Sequence, residues 1–233
     1  VHSAEGDFGA ARRAYRKGVA IRRRMVAGAP RETQWVRGVA ELSEKIGDAA
    51  LAAGDPLKGE EAHKTALDIM RRLSESAPEN ALWASDLARS LGRIGDARLA
   101  AGKQPEAVKA FEESLALRRR IAEQNENNPG MARGVGLALI KLGDAHLAGG
   151  ARGWAYNAYD ESLDIARDLS GRHRGASAWR RGLIISNVKL AEAAPDTARP
   201  HYVEALAVAQ QMAASKTLAA QDAWMLEELE RRL

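Results

Sequence analysis

One phrase recurs through this chain at a fixed step. Residues 45–55 read KIGDAALAAGD, residues 93–103 read RIGDARLAAGK, and residues 141–151 read KLGDAHLAGGA, a step of 48 residues each time. Other columns keep the same step. Gly47, Gly95 and Gly143 are followed by Ala191, and Asp48, Asp96 and Asp144 by Glu192. Trp35, Trp83, Met131 and Trp179 form a column, as do Gly6, Gly54, Gly102 and Gly150, and Tyr15, His63, Phe111 and Tyr159. Val19, Leu67, Leu115 and Leu163 form another. A period of roughly 20–50 residues specifies an array of one supersecondary unit, because each copy buries its apolar face only by stacking on its neighbours. That constraint outranks any reading of single residues.

Each copy reads as two helices. In the middle one, Trp83–Ala101 carries Leu87, Leu91, Ile94 and Leu99 on one stripe at helical spacing. Gly102 ends it, since glycine accepts the left-handed conformation at a helix terminus. A second helix, Pro105–Ala122, faces Ala107, Phe111, Leu115 and Ile121 one way, and Pro105 suits a first turn. The scarcity of prolines and the Ala, Leu, Arg and Glu content favour helix throughout. Unit boundaries are expected near 30, 78, 126 and 174, with Pro30, Pro78 and the Asn125–Pro129 stretch as punctuation. The final copy is five residues short, so that Ala198, Tyr202 and Leu206 recover the second-helix columns. A capping segment is expected over 217–233, helical from about Thr217 to Arg232, with Leu218, Met225, Leu229 and Leu233 inward, because an uncapped array exposes core. The whole of 1–233 reads as a single all-α array. Position 1 falls inside a first helix of the repeat, which predicts that this is the C-terminal part of a longer protein.

These residues resemble the tetratricopeptide repeat (TPR) family, which pairs Leu-Gly in a first helix with Ala-x-x-x-Phe/Tyr in a second. The pairs here are Ile46-Gly47, Ile94-Gly95, Leu142-Gly143 and Leu190-Ala191. The second-helix signatures are Ala11 and Tyr15, Gly59 and His63, Ala107 and Phe111, Ala155 and Tyr159, and Ala198 and Tyr202. The resemblance covers essentially the whole chain. The usual unit is about 34 residues, so this looks like a long-helix variant of the kind seen in bacterial multidomain proteins. The tyrosine position after the first-helix glycine holds Ala50, Arg98, His146 or Ala194, and the family's tryptophan position holds Ser43, Leu91, Leu139 or Asn187. The resemblance implies a right-handed α-solenoid of stacked antiparallel helix pairs. It also implies a concave groove holding a peptide or helix of another protein, or of another domain of the same protein. The helical glycine column is expected where the second helix of a unit crosses the first, opposite the aromatic column.

Catalytic constellations do not emerge. No cysteine is present, which removes disulfides, thiolate nucleophiles and thiolate metal sites. His2, His63, His146, His173 and His201 are scattered with no metal-ligand spacing, and His63 sits in the aromatic core column. Gly134-Val135-Gly136 is a dinucleotide-motif fragment inside a helix pattern, the wrong context. No enzyme activity, cofactor or metal is expected. No apolar run approaches the roughly 20 residues of a membrane span, and a cytoplasmic location is expected. The formal net charge is +4 and is concentrated in residues 1–37, where Arg12, Arg13, Arg16, Lys17, Arg22, Arg23 and Arg24 lie. Three alternatives to a scaffold stay open. They are a regulatory module of a larger enzyme, nucleic-acid binding through this basic helix, and self-association of the basic end with acidic Asp222, Glu227, Glu228 and Glu230.

Two column sets are candidates for the groove. The carboxylates Asp48, Asp96, Asp144 and Glu192 each follow a cation by three residues: Lys45, Arg93, Lys141 and Lys189. That spacing sets them side by side on one helix, either as a structural ladder of ion pairs or as a groove lining. The second set changes character along the array, from Glu41 and Glu44 to Arg89 and Gly92, then Leu137 and Ile140, then Ile185 and Val188. Either the longer helices turn these apolar residues into the core, or they form an exposed apolar binding patch. The column Arg23, Arg71, Arg119 and Arg167 lies toward the ends of second helices, where cations complement the helix dipole.

Overall fold

The computed structural model describes residues 7–29, 32–173 and 177–233. The expected boundaries at 30 and 174, the residues His2 and Gly6, and Pro30 fall outside them. The described chain is all-α. Its helices are α1 (Phe8–Gly28), α2 (Thr33–Ala52), α3 (Pro56–Ser76), α4 (Ala81–Ala100), α5 (Gln104–Glu123), α6 (Pro129–Ala148), α7 (Arg152–Arg172), α8 (Ser177–Ala193), α9 (Ala198–Ala214) and α10 (Trp224–Arg231). They group into two compact units, Val1–Leu117 and Arg118–Leu233, and α5 spans the division.

Local chemistry sets the helix ends. Asp55, Asn80 and Asn128 accept backbone N–H bonds at the starts of α3, α4 and α6, which satisfies donors that the helix itself cannot pair. The hairpin turns repeat as the sequence does. Gly54, Gly102 and Gly150 have φ of +73°, +74° and +76°. The residue after each donates back five positions: Asp55 N to Ala50 O, Lys103 N to Arg98 O, and Ala151 N to His146 O. A side chain at the glycine would be strained in this conformation.

The helical glycines answer to packing. An ideal Cβ on Gly47 would lie 2.5 Å from the His63 ring, and one on Gly95 would lie 2.5 Å from the Phe111 ring. Gly143 is pressed as closely by Tyr159. Phe111, Tyr159 and His63 are all essentially unexposed. In the first unit the core joins Ala40, Leu67, Met70, Leu87, Leu91 and Ile94, with Trp83 packed against it. In the second unit, one cluster centres on Tyr159, Leu163 and Leu190, and another on Tyr202, Ala209, Met212, Met225 and Leu229. Each large side chain so buried contributes about 1.5–3 kcal/mol.

The C-terminal segment is shorter than the pattern suggests. Residues Ala220–Asp222 form one turn of 3-10 helix, and α10 has eight residues. Met225 and Leu229 are buried and Leu218 packs beside them, but Leu233 is 42% exposed.

His63 breaks the aromatic column's chemistry. Tyr159 donates its hydroxyl to Asp144 Oδ1 at 2.7 Å. His63 stands 3.5 Å from Asp48 Oδ1, an ion-pair distance, and neither ring nitrogen makes a hydrogen bond. Burial pushes the imidazole below its ordinary value, Asp48 and Glu44 pull it up, and Arg93 pushes it down. The folded state therefore binds a proton less readily than the unfolded one. Stability is present above the unfolded value of about 6.5 and falls as pH drops through it. The melting temperature is expected to fall between about pH 7.5 and 5.5, and less so for His63→Phe, which thermal melts read by circular dichroism will check.

Candidate functional site

In the first unit the α2–α4 face is a closed ladder of charges. Arg37 bonds Asp86 through Nε at 2.5 Å and pairs with Glu41 at 3.0 Å. Arg89 bonds Asp86 at 2.7 Å and Glu44 at 3.2 Å. Ser90 donates to Glu44 Oε1 at 2.6 Å. Arg93 pairs with both Glu44 and Asp48. The Asp86 and Glu44 carboxylates are 2% and 6% exposed, and the guanidinium donors around them replace the water that burial removes. The Asp86 hydrogen bond holds Arg37 above its usual range, and for Arg89 the pull of Glu44 and Asp86 outweighs burial.

At Asp48 and Asp144 the carboxylate column pairs across repeats. Lys45 does not take Asp48. It stands 6.0 Å over the Tyr15 ring, and Arg93 of the next repeat reaches Asp48 instead. In the second unit Lys189 contacts both Asp144 at 3.1 Å and Glu192 at 3.2 Å, and Arg232 continues the chain to Glu192 at 3.4 Å. The same-helix pairing holds at Lys189–Glu192. Asp96 and Lys141 are half-buried, and each is engaged.

The second unit presents a different face. Leu137 is 40% exposed, and Ile140, Ile185 and Val188 are half-buried. Ile140 and Val188 touch the core at one side. Leu137, Ile140, Trp179 and Ile185 also line an open cleft of about 50 Å³ between α6, α7 and α8. A wider cleft of about 300 Å³ between α8 and α10 is lined by Ile184, Ile185, Val188 and Trp224. Trp224, 61% exposed, is a contributor that the repeat pattern does not reveal, because it lies in the atypical end. Glu192, Lys189, Glu228 and Arg232 rim this cleft. The two clefts share Arg181 and Ile185, and Ile140 and Val188 each meet the core and line a cleft.

The arginine column works otherwise than expected. Arg71 sits five residues before the end of α3 and bonds Glu113 on α5 at 2.6 Å. Arg119 bonds Glu161 on α7 at 2.6 Å, and Arg167 bonds Glu204 on α9 at 2.9 Å. These residues stitch neighbouring second helices together. At the acidic end, Asp222 is buried on Arg181, and Glu228 is held by Arg231 and Arg232. Glu227 and Glu230, the other two acids there, are exposed.

Among the described residues no cluster of three or more histidines and carboxylates is placed to hold a metal, and no helix is long and apolar enough to cross a membrane. No protein-family model matches the chain, and no curated protein sequence matches it. Solved structures do. A Podosopora anserina putative kinesin light chain with nearly identical TPR-like repeats is 17% identical, with 91% of each chain covered and a TM-score of 0.65. BtubC (BKLC) from P. vanneervenii is 18% identical, covering 97% of this chain and 89% of its own, with a TM-score of 0.64. MamA is 19% identical, covering 91% of this chain and 95% of its own, with a TM-score of 0.56. The likeness shows the fold: a helical repeat protein of TPR-like, α-solenoid architecture.

Proposed function

We propose that the chain is a non-catalytic protein-interaction scaffold, and that the α6–α8–α10 face of the second unit holds a helix or extended peptide of its partner. One contrast carries the reading. The first-unit face is filled by mutually neutralised charges, while the second-unit face leaves Leu137 and Trp224 exposed beside open clefts. Exposed apolar residues rimmed by paired charges are the anatomy of a binding patch, and a buried Trp or Leu anchor contributes about 1.5–3 kcal/mol. The TPR-like fold supports a protein partner in general.

Leu137→Glu/Ile140→Glu is expected to abolish partner capture while keeping the far-UV helical signal. Affinity capture from the source lysate with wild-type and double-variant bait, read by mass spectrometry, checks this. Equal retention by both baits sinks the proposal, and a lost helical signal assigns these residues to the core instead.

A further inference from the structure

The arginine–glutamate stitch between second helices has one gap. From Arg71 and Arg119 the glutamate lies 42 residues on, and from Arg167, across the shortened copy, 37 on. The residue 42 on from Arg23 is Thr65, whose hydroxyl donates to its own helix at Glu61 O. Arg23 is exposed and has no ion pair or hydrogen bond among the described residues. It lines an open cleft of about 520 Å³ over α2, between α1 and α3. Arg12, Arg16 and Lys58 share the lining with Arg23, against the single acid Glu61. Lys58 is occupied by Asp55 at 2.5 Å, which leaves three arginines facing the opening. The floor is apolar, with Val19, Ile46 and Ala50.

We propose that this cleft is a second docking site, distinct in place and chemistry from the second-unit face, and that it takes an acidic, amphipathic peptide segment of another protein. A carboxylate of the segment replaces the missing glutamate at Arg23, as Glu113 does for Arg71. Its apolar side chains lie on Val19 and Ile46. The bidentate fork of arginine matches a carboxylate. A nucleic acid fits less well. The lining offers no aromatic ring for a base to stack on, and Glu61 repels phosphate.

The test uses a fluorescein-labelled helical peptide of glutamate, leucine and alanine, its glutamine counterpart, and oligothymidylate. Fluorescence anisotropy is measured on the wild-type chain and on Thr65→Glu, Thr65→Gln and Leu137→Glu/Ile140→Glu. Thr65→Glu supplies the absent stitch from within the chain, so it is expected to raise the melting temperature and weaken the acidic peptide about tenfold or more. Thr65→Gln, the same size without charge, is expected to bind as wild type, as is the Leu137/Ile140 variant, which separates this site from the one proposed above. No binding of the acidic peptide overturns the proposal. So does equal loss in Thr65→Glu and Thr65→Gln, or undiminished binding by Thr65→Glu. Oligothymidylate bound more tightly than the peptide, and lost in Thr65→Glu, replaces the peptide with a nucleic acid.

Discussion

Tyr159→Ala is expected to destabilise the second unit by about 3–5 kcal/mol, the range for deleting a buried aromatic ring. Tyr159 is fully buried, packs against Gly143, and belongs to the cluster that joins α7 to α8. Its hydroxyl adds a separable part. It donates to Asp144, which also receives Lys189. Tyr159→Phe leaves Asp144 paired with Lys189, so its cost should be about 1 kcal/mol, the net value of one hydrogen bond. Urea unfolding followed by circular dichroism checks both. The loss should appear chiefly in one phase if the units melt separately, as repeat arrays do when cooperativity fails. A Tyr159→Ala cost no larger than that of Tyr159→Phe would contradict the packing account.

Gly95→Ala tests the sign of a general rule. In an open helix this change stabilises by about 1 kcal/mol. Here the new methyl would stand 2.5 Å from Phe111, which is 1% exposed and boxed in by core. Overpacking of this kind costs about 1–3 kcal/mol, enough to turn the rule's gain into a loss. Gly95→Ala should therefore lower the melting temperature, and Phe111→Leu in the same chain should recover part of it. The two changes would then be non-additive. An increase in melting temperature for Gly95→Ala alone would show that α4 and α5 separate at little cost.

The architecture was legible because periodicity speaks through many residues at once. The turn glycines at 54, 102 and 150, the glycine–aromatic crossing, and the shortened last copy are each written as columns, and each takes its expected place. The pairings were less legible. Lys45 and Asp48 are three apart on one helix, which is what a linear reading sees, yet the nearer cation in space is Arg93 from the next repeat. Asp86 stands where other copies have Gly38, Gly134 and Gly182, and only the fold shows that Arg37 and Arg89 converge on it. The arginine stitch had a readable signal in the 42-residue offset to Glu113 and Glu161. The offset differs from the repeat period because the partner helix is met six residues, nearly two turns, nearer its N-terminus. Trp224 had no signal, since it belongs to the irregular end that caps the array.

The central claim is that the second-unit face is where a partner sits. A photo-crosslinking residue placed at Leu137, and in a second chain at exposed Glu113 on a second helix, tests it most directly in source lysate. The account predicts a specific adduct from position 137, competed away by unlabelled wild-type chain and absent from position 113. Adducts from position 113 with none from 137 would contradict it, and would move the binding surface to the second helices.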